Sequence, residues 1–319
     1  MTILLLIVGL VFLVAGGELL VRGAVQLAQK FRISPLLIGL TLVGFGTSTP
    51  ELVTSLQAAF AGSPGIAVGN VVGSNTANIL LILGITALIF PVAVARDTFR
   101  RDGVVLGLST LMCLGAVLYG QLTPLLGAIF VASLAGYIIY AFRQERQSNA
   151  AADAAAGIAT SAPGPSLGGI ALDLVFVIGG LALTILGARF LVTSAIDIAR
   201  DFNVSETVIG LTIVAVGTSL PELVTSVMAA LRKHSDIAFG NIVGSNIYNV
   251  FGILGVTAII KPIDVPPQIA SLDIWVMLAA TVLLFITATS RWRIGRVEGG
   301  IMLAAYVAYS IWLGMNASA

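Results

Sequence analysis

Two glutamates sit where an apolar chain would not ordinarily place them. Glu51 lies in GFGTSTPELVTS, Gly44 to Ser55, and Glu222 lies in VGTSLPELVTS, Val216 to Ser226. Each follows a proline, and each is preceded by a Thr-Ser pair, Thr47–Ser48 and Thr218–Ser219. Proline donates no backbone hydrogen bond, so Pro50 is expected to free the carbonyl of Gly46 and open the turn around Thr47, and Pro221 to do the same to Gly217 and Thr218. The spacing puts Thr47, Ser48 and Glu51 on one helical face, with Thr54 and Ser55 one turn on. A second motif, G-N-x-V-G-S-N-x-x-N, runs from Gly69 to Asn78 and again from Gly240 to Asn249. Ser74 shares a face with Asn78, and Ser245 with Asn249. The glycines at 69, 73, 240 and 244 are expected to let backbones approach closely. Carboxylates, hydroxyls, amide oxygens and freed carbonyls together form an all-oxygen shell, which suits hard cations such as Ca²⁺ and Na⁺ and not soft metals. Two carboxylates balance one Ca²⁺. Three Na⁺ in its place would leave the loaded site one charge more positive, and two protons would leave it neutral.

A plainer reading competes. Ser, Thr and Asn inside membranes often only hold helices together, and glycines often only pack. That reading accounts poorly for two glutamates at equivalent positions, each after a proline, with no basic partner in its own helix. A carboxylate at mid-membrane costs at least about 2.5 kcal/mol unless a cation or proton matches it.

The elements that must carry these residues are membrane helices. The chain of 319 residues is 58% hydrophobic and 10% charged, against roughly 25% charged in soluble domains. Apolar stretches of about 20 residues recur, enough to cross a bilayer as helices, and the alternating pattern of a membrane β-barrel is absent. A net charge of +1 gives no sign of a nucleic-acid partner. Cys113 and His234 are each the only residue of their kind, which excludes an intrachain disulfide, a cysteine cluster and a histidine-based zinc site or triad. No nucleophile–base pair is present, so the chain reads as a transporter and not an enzyme, with no prosthetic group. The glycine-rich GNVVGSN lacks the Lys and the preceding strand of a phosphate loop. The N-terminal MTILLLIVGLVFLVAGGELL has no positive leading region or cleavage site and reads as a first span.

Ten helices are expected, near 2–28, 35–60, 66–90, 103–120, 122–142, 168–199, 206–231, 237–260, 270–289 and 296–315. Residues 1–142 form a first five-helix repeat and 168–319 a second. Residues 143–167, rich in Ala, Ser, Pro and Gly, form a flexible linker. Of the 16 Lys and Arg residues, twelve fall in the loops after helices 1, 3, 5, 7 and 9, and only Arg200 and Lys261 in the others. That bias puts the odd loops and the linker in the cytoplasm and both termini outside. Residues 35–84 align with 206–255 without a gap, with 28 of 50 positions identical. An odd number of spans per half makes the second repeat inverted. Secondary transporters are commonly built so, with the substrate site near the midplane between the repeats. Outside the repeats, Glu18 and Arg22 are expected to pair along helix 1 in a structural or gating role. Asp173 and Asp197 are expected at the interface, Trp275 and Trp292 as interface anchors, and His234 as a solvated loop residue.

At GFGTSTPELVTS with GNVVGSNTAN, and AVGTSLPELVTS with GNIVGSNIYN, the sequence resembles the Ca²⁺/cation antiporter superfamily, specifically the prokaryotic sodium/calcium exchangers. The resemblance extends over the whole chain in span number and loop placement. It implies helices 1 and 6 sliding across a core of the other eight, in a prokaryotic plasma (inner) membrane, with the single chain as the working unit. It implies Glu51 and Glu222 as central carboxylates bridging Ca²⁺ and Na⁺. It adds backbone carbonyls from Thr47, Thr218, Gly44 and Ala215, hydroxyls from Ser48, Ser74, Ser219 and Ser245, and amide oxygens from Asn78 and Asn249. Potassium-dependent relatives carry Asp at the position of Asn249, so the Asn here speaks against potassium cotransport. Exchange of Ca²⁺ for Na⁺ by alternating access is the leading reading. Ca²⁺/H⁺ antiport on the same fold and a cation channel are the alternatives.

Overall fold

The protein is described here from a computed structural model covering residues 2–62, 64–155, 167–201 and 215–317. It is a bundle of membrane-length helices. In chain order these are α1 (Thr2–Phe31), α2 (Pro35–Thr47 with Thr49–Phe60), α3 (Gly65–Ile89), α4 (Arg96–Tyr119), α5 (Pro124–Ala155), α6 (Leu167–Asp201), α7 (Ala215–Thr218 with Leu220–Leu231), α8 (Ser235–Ile260), α9 (Ile269–Arg291) and α10 (Arg296–Ala317). Eight of them are long and apolar enough to cross a membrane singly among the described residues, and α2 crosses as a bent pair. The expected seventh helix is described from Ala215 onward, and its first part, 206–214, lies outside the described residues.

Most helix ends follow local signals. Arg32, at φ 51°, leaves the helical region and ends α1. Ser34 then caps α2, its hydroxyl accepting from the Leu37 amide, with Pro35 in the first turn. Two ends depart from expectation. α4 begins at Arg96, seven residues before 103, because the charged turn RDTFRRD continues the helix beyond the apolar stretch. α5 runs on to Ala155, into the segment expected as linker. Alanine is the strongest helix former, and SNAAADAA prolongs the helix although its composition looks like a linker. Residues 156–166 of that segment lie outside the described residues.

Two short antiparallel ribbons tie the halves together. β1 (Val92–Ala93), between α3 and α4, pairs with β4 (Arg293–Ile294), between α9 and α10. β2 (Gln121–Leu122), between α4 and α5, pairs with β3 (Ile263–Asp264), between α8 and α9. Backbone pairing requires both partners of a ribbon to lie at the same face of the bundle. The loops after α3 and α9 therefore share one face, and those after α4 and α8 share the other. This is the parity that two inverted five-helix repeats demand. The ribbons exchange under the same two-fold, since β3 is the repeat mate of β1.

α1 and α6 pack backbone to backbone. A Cβ added at Gly9, Gly16, Gly180 or Gly187 would stand 2.9 Å or less from a carbonyl oxygen of the opposing helix. Gly9 faces Gly187 and Gly16 faces Gly180, a pair of contacts that the two-fold interchanges. Behind this pair, α3 and α8 form the most enclosed helices, and their apolar faces join the main core.

Candidate functional site

Pro50 and Pro221 produce the expected breaks. α2 bends by 42° between Thr47 and Thr49, with Ser48 at φ −83°, ψ 9°. Ser219 repeats that conformation in α7 at φ −92°, ψ 8°. α3 and α8 each leave α-helical geometry for one π-helical turn, Asn78–Leu83 and Asn249–Leu254. Such bulges aim side chains that a regular helix would place elsewhere, and here each begins at the last Asn of its motif.

The broken helices bring the motif residues of both repeats into one buried cluster. Thr47, Ser48, Glu51, Ser219, Glu222, Ser245, Asn78 and Asn249 are all at most 2% exposed, and Ser74 is 6% exposed. Thr218 is half-buried. Ala215 is placed by its backbone at the start of the described part of α7. Bonds across the repeat interface hold the cluster. Ser48 Oγ donates to Glu222 Oε1 at 2.8 Å, Ser245 Oγ to the Gly44 carbonyl at 3.1 Å, and Thr47 Oγ1 to Asn241 Oδ1 at 3.2 Å. The Gly44 carbonyl also accepts from the Ser48 amide at 3.2 Å and from Thr47 Oγ1 at 3.3 Å. The two carboxylates lie close enough to interact electrostatically.

Five oxygens of this cluster have no hydrogen-bond partner although they are buried: Glu51 Oε2, Glu222 Oε2, Asn78 Oδ1, Asn249 Oδ1 and Ser219 Oγ. Buried acceptors are ordinarily paired, because an unpaired one keeps its full desolvation cost. Four of the five are acceptors only, and the two-fold relates them as two pairs. Among the described residues no group of three or more His, Cys, Asp or Glu is placed to hold a metal. The chemistry on offer is thus two carboxylates among neutral oxygens, a donor set for a hard cation.

Four asparagines not expected as part of the site support it. Asn70 Nδ2 donates to the Glu51 carbonyl and to Ser55 Oγ, and its mate Asn241 makes the same two bonds to Glu222 and Ser226. Each pair clamps a broken helix to its neighbour. Asn75 and Asn246 tie α3 to α8. Asn249 Nδ2 donates to Asn75 Oδ1 at 3.0 Å and Asn78 Nδ2 to Asn246 Oδ1 at 3.2 Å, two bonds that the two-fold interchanges. All four asparagines recur at the 171-residue offset that relates Asn75 to Asn246, and that recurrence is the signal that could have found them.

Several expectations are corrected. Glu18 pairs with Arg232 at the end of α7 and not with Arg22; Arg22 instead lies over the Phe176 ring, 5.3 Å from its centre. Asp173, near the start of α6, is 1% exposed and paired with Lys30 in the last turn of α1. Gly240 and Gly244 admit the expected close approach, by the Leu36 and Leu40 carbonyls of α2; the repeat-related partners of Gly69 and Gly73, at 207 and 211, lie outside the described residues. His234 is half-buried at the α7–α8 turn, where its amide donates to the Ala229 carbonyl.

The arrangement has known counterparts. Residues 1–143 and 172–315 match the family described as sodium/calcium exchanger protein. The chain is 39% identical over 310 residues to the putative antiporter CaxA of Alkalimonas amylolytica, covering 96% of this chain and 97% of that one. It is 34% identical to the sodium/calcium exchanger MaX1 of Methanosarcina acetivorans, covering 97% of each, and 37% identical to the inner membrane protein YrbG of Escherichia coli, covering 98% of this chain and 95% of that one. A solved structure of the sodium-calcium exchanger NCX_Mj, soaked with Na⁺ and Ca²⁺, superposes with a TM-score of 0.81 at 31% identity, covering 96% of both chains. The chain belongs to the sodium/calcium exchanger family and is a multi-span membrane antiporter of cations.

Proposed function

We propose that the protein exchanges Ca²⁺ for Na⁺ by alternating access, with both ions competing for the buried oxygen cluster between the repeats. The observation that carries this is the set of five unpartnered buried oxygens, drawn from both repeats and including both carboxylates. Glu51 and Glu222 supply the charge. Ser48, Ser74, Ser219 and Ser245 supply hydroxyl oxygens, Asn78 and Asn249 amide oxygens, and Thr47, Thr218, Gly44 and Ala215 backbone carbonyls. The Gly44 carbonyl joins the set once the hydroxyls now bonded to it turn toward the ion. Asn70 and Asn241 hold the two glutamate-bearing helices in register. One Ca²⁺ neutralises the two carboxylates, and three Na⁺ leave one positive charge, so the exchange moves net charge across the membrane.

The packing of α1 and α6 supports access from one face at a time. A cavity of about 270 Å³ separates α6 from the second half of α2 and reaches Pro50, Thr218 and Pro221. At the two-fold-related place on the other side, α1 is packed tight on α7: a Cβ at Gly17 would stand 2.9 Å from Val224 Cγ1. The arginine-rich loops assign the closed face to the cytoplasm and the open one to the outside, with both termini outside. The sliding of the joined α1–α6 pair would then close one route and open the other.

The test is Ca²⁺ uptake into proteoliposomes under an imposed outward Na⁺ or H⁺ gradient with voltage clamped. Uptake driven by Na⁺ and accelerated by an inside-positive potential, because three Na⁺ leaving for each Ca²⁺ entering carry one positive charge outward, supports the proposal. Uptake driven by H⁺ alone would replace it with Ca²⁺/H⁺ antiport, and Ca²⁺ flux with no opposing ion gradient would replace it with a channel.

A further inference from the structure

Arg189 is an exposed guanidinium within α6, and it lines the cavity that reaches Pro50, Thr218 and Pro221. It makes no hydrogen bond or ion pair with any described residue. Arginine has no neutral form at any ordinary pH. A charge at membrane depth without a partner must keep its hydration or pay several kcal/mol. The cavity therefore holds water, and the hydroxyls of Thr54 and Thr193 and the amide of Gln57 on its walls suit that content. It is an aqueous route to the proline breaks that flank both carboxylates, and among the described residues its one charged wall residue is Arg189.

The repeat gives this position a mate. The 171-residue offset carries Arg189 onto Glu18, which lines a separate cavity of about 580 Å³ beside Arg22, Arg232 and His234. There Glu18 is paired with Arg232. The mate positions thus differ: Glu18 is a carboxylate paired with Arg232, in a cavity that also holds Arg22 over the Phe176 ring, whereas Arg189 has no carboxylate partner among the described residues.

Building on the exchange proposed above, we propose that Arg189 is a specificity-determining residue for cation access from the α6 side. Its potential acts on each approaching ion in proportion to that ion's charge. It holds back a divalent ion as the square of its effect on a monovalent one. Ca²⁺ leaves this route more readily than it enters, Na⁺ is disfavoured less, and Arg189 exerts this effect at the α6-side face.

The experiment uses the full chain in proteoliposomes of known orientation, with KM for Ca²⁺ and for Na⁺ measured at each face for the wild type, Arg189→Gln and Arg189→Lys. Arg189→Gln is expected to lower KM for Ca²⁺ at the α6-side face by about ninefold where KM for Na⁺ falls by about threefold, the square relation that charge imposes. KM at the opposite face stays unchanged, which also shows that the variant is folded. Raising salt shrinks the effect, and Arg189→Lys retains the wild-type values. Equal changes for Na⁺ and Ca²⁺, no change at all, or a lysine variant that behaves like glutamine would overturn the assignment alone, provided that the wild type exchanges the two ions. A wild type without Na⁺-driven Ca²⁺ uptake would overturn the exchange reading and this one together.

Discussion

Gly244→Ala tests whether the register between α2 and α8 sets the geometry of the oxygen cluster. The added methyl would stand 2.6 Å from both the carbonyl carbon and the Cα of Leu40, where ordinary carbon contacts lie near 3.5–4.0 Å. The colliding atoms are backbone inside a packed helix and cannot rotate away, so α2 must retreat by about 1 Å at a strain of about 1–3 kcal/mol. Gly44 and Thr47 ride on the same segment, one turn or two beyond Leu40. A retreat of that size stretches the Ser245–Gly44 bond from 3.1 Å to about 4 Å, beyond hydrogen-bonding range, and displaces two proposed carbonyl ligands. A misplacement of about 1 Å at a reacting or binding centre costs up to about a hundredfold. Na⁺-driven Ca²⁺ uptake by the purified variant should therefore fall between tenfold and a hundredfold at saturating Na⁺, with KM for Ca²⁺ raised, while helical content by circular dichroism is unchanged. Gly136→Ala is the control, since nothing lies within 4 Å of a Cβ there. It should transport as the wild type and be slightly more stable, because alanine favours a helix over glycine by about 0.5–1 kcal/mol. Wild-type uptake and wild-type KM in Gly244→Ala would refute the claim that this contact positions the cluster.

Four further variants separate charge at the cluster from charge in ion pairs elsewhere in the bundle. Glu51→Gln and Glu222→Gln each remove half of the charge that balances Ca²⁺ and should abolish Ca²⁺ flux in vesicles; exchange retained in either variant refutes the site. Lys30→Met leaves Asp173, 1% exposed, without its cation and should lower stability by about 3 kcal/mol, read as a lower thermal midpoint in detergent. Arg232→Met breaks the exposed pair with Glu18 and should cost within about 1 kcal/mol; equal losses in the two variants would contradict the burial argument.

What the chain order determined by itself was whatever depends on near neighbours and on repetition. Composition and apolar length dictate membrane helices. Pro50 and Pro221 dictate breaks in α2 and α7, because a missing amide acts within one turn. The gapless repeat, joined to the odd count of spans per half, dictates inversion, which the two β ribbons meet. The same repeat singled out Glu51, Glu222, Ser74, Ser245, Asn78 and Asn249 as one constellation before any contact was visible. Tertiary structure decided the partnerships between distant residues. Glu18 and Arg22 have ideal spacing along one helix, but the end of α7 packs beside Glu18 and delivers the Arg232 guanidinium, while the Phe176 ring on α6 takes Arg22. Asp173 is buried because α1 brings Lys30 to it. Asn70, Asn75, Asn241 and Asn246 became visible as the clamps of the cluster only through helices that cross. The difference between the repeats was also beyond sequence reach. Near-identical motifs open a cavity beside α6 while α1 stays closed on α7. A chain whose halves are so alike specifies two equivalent arrangements, and which of them is adopted is a matter of how the joined pair α1 and α6 lies across the other helices.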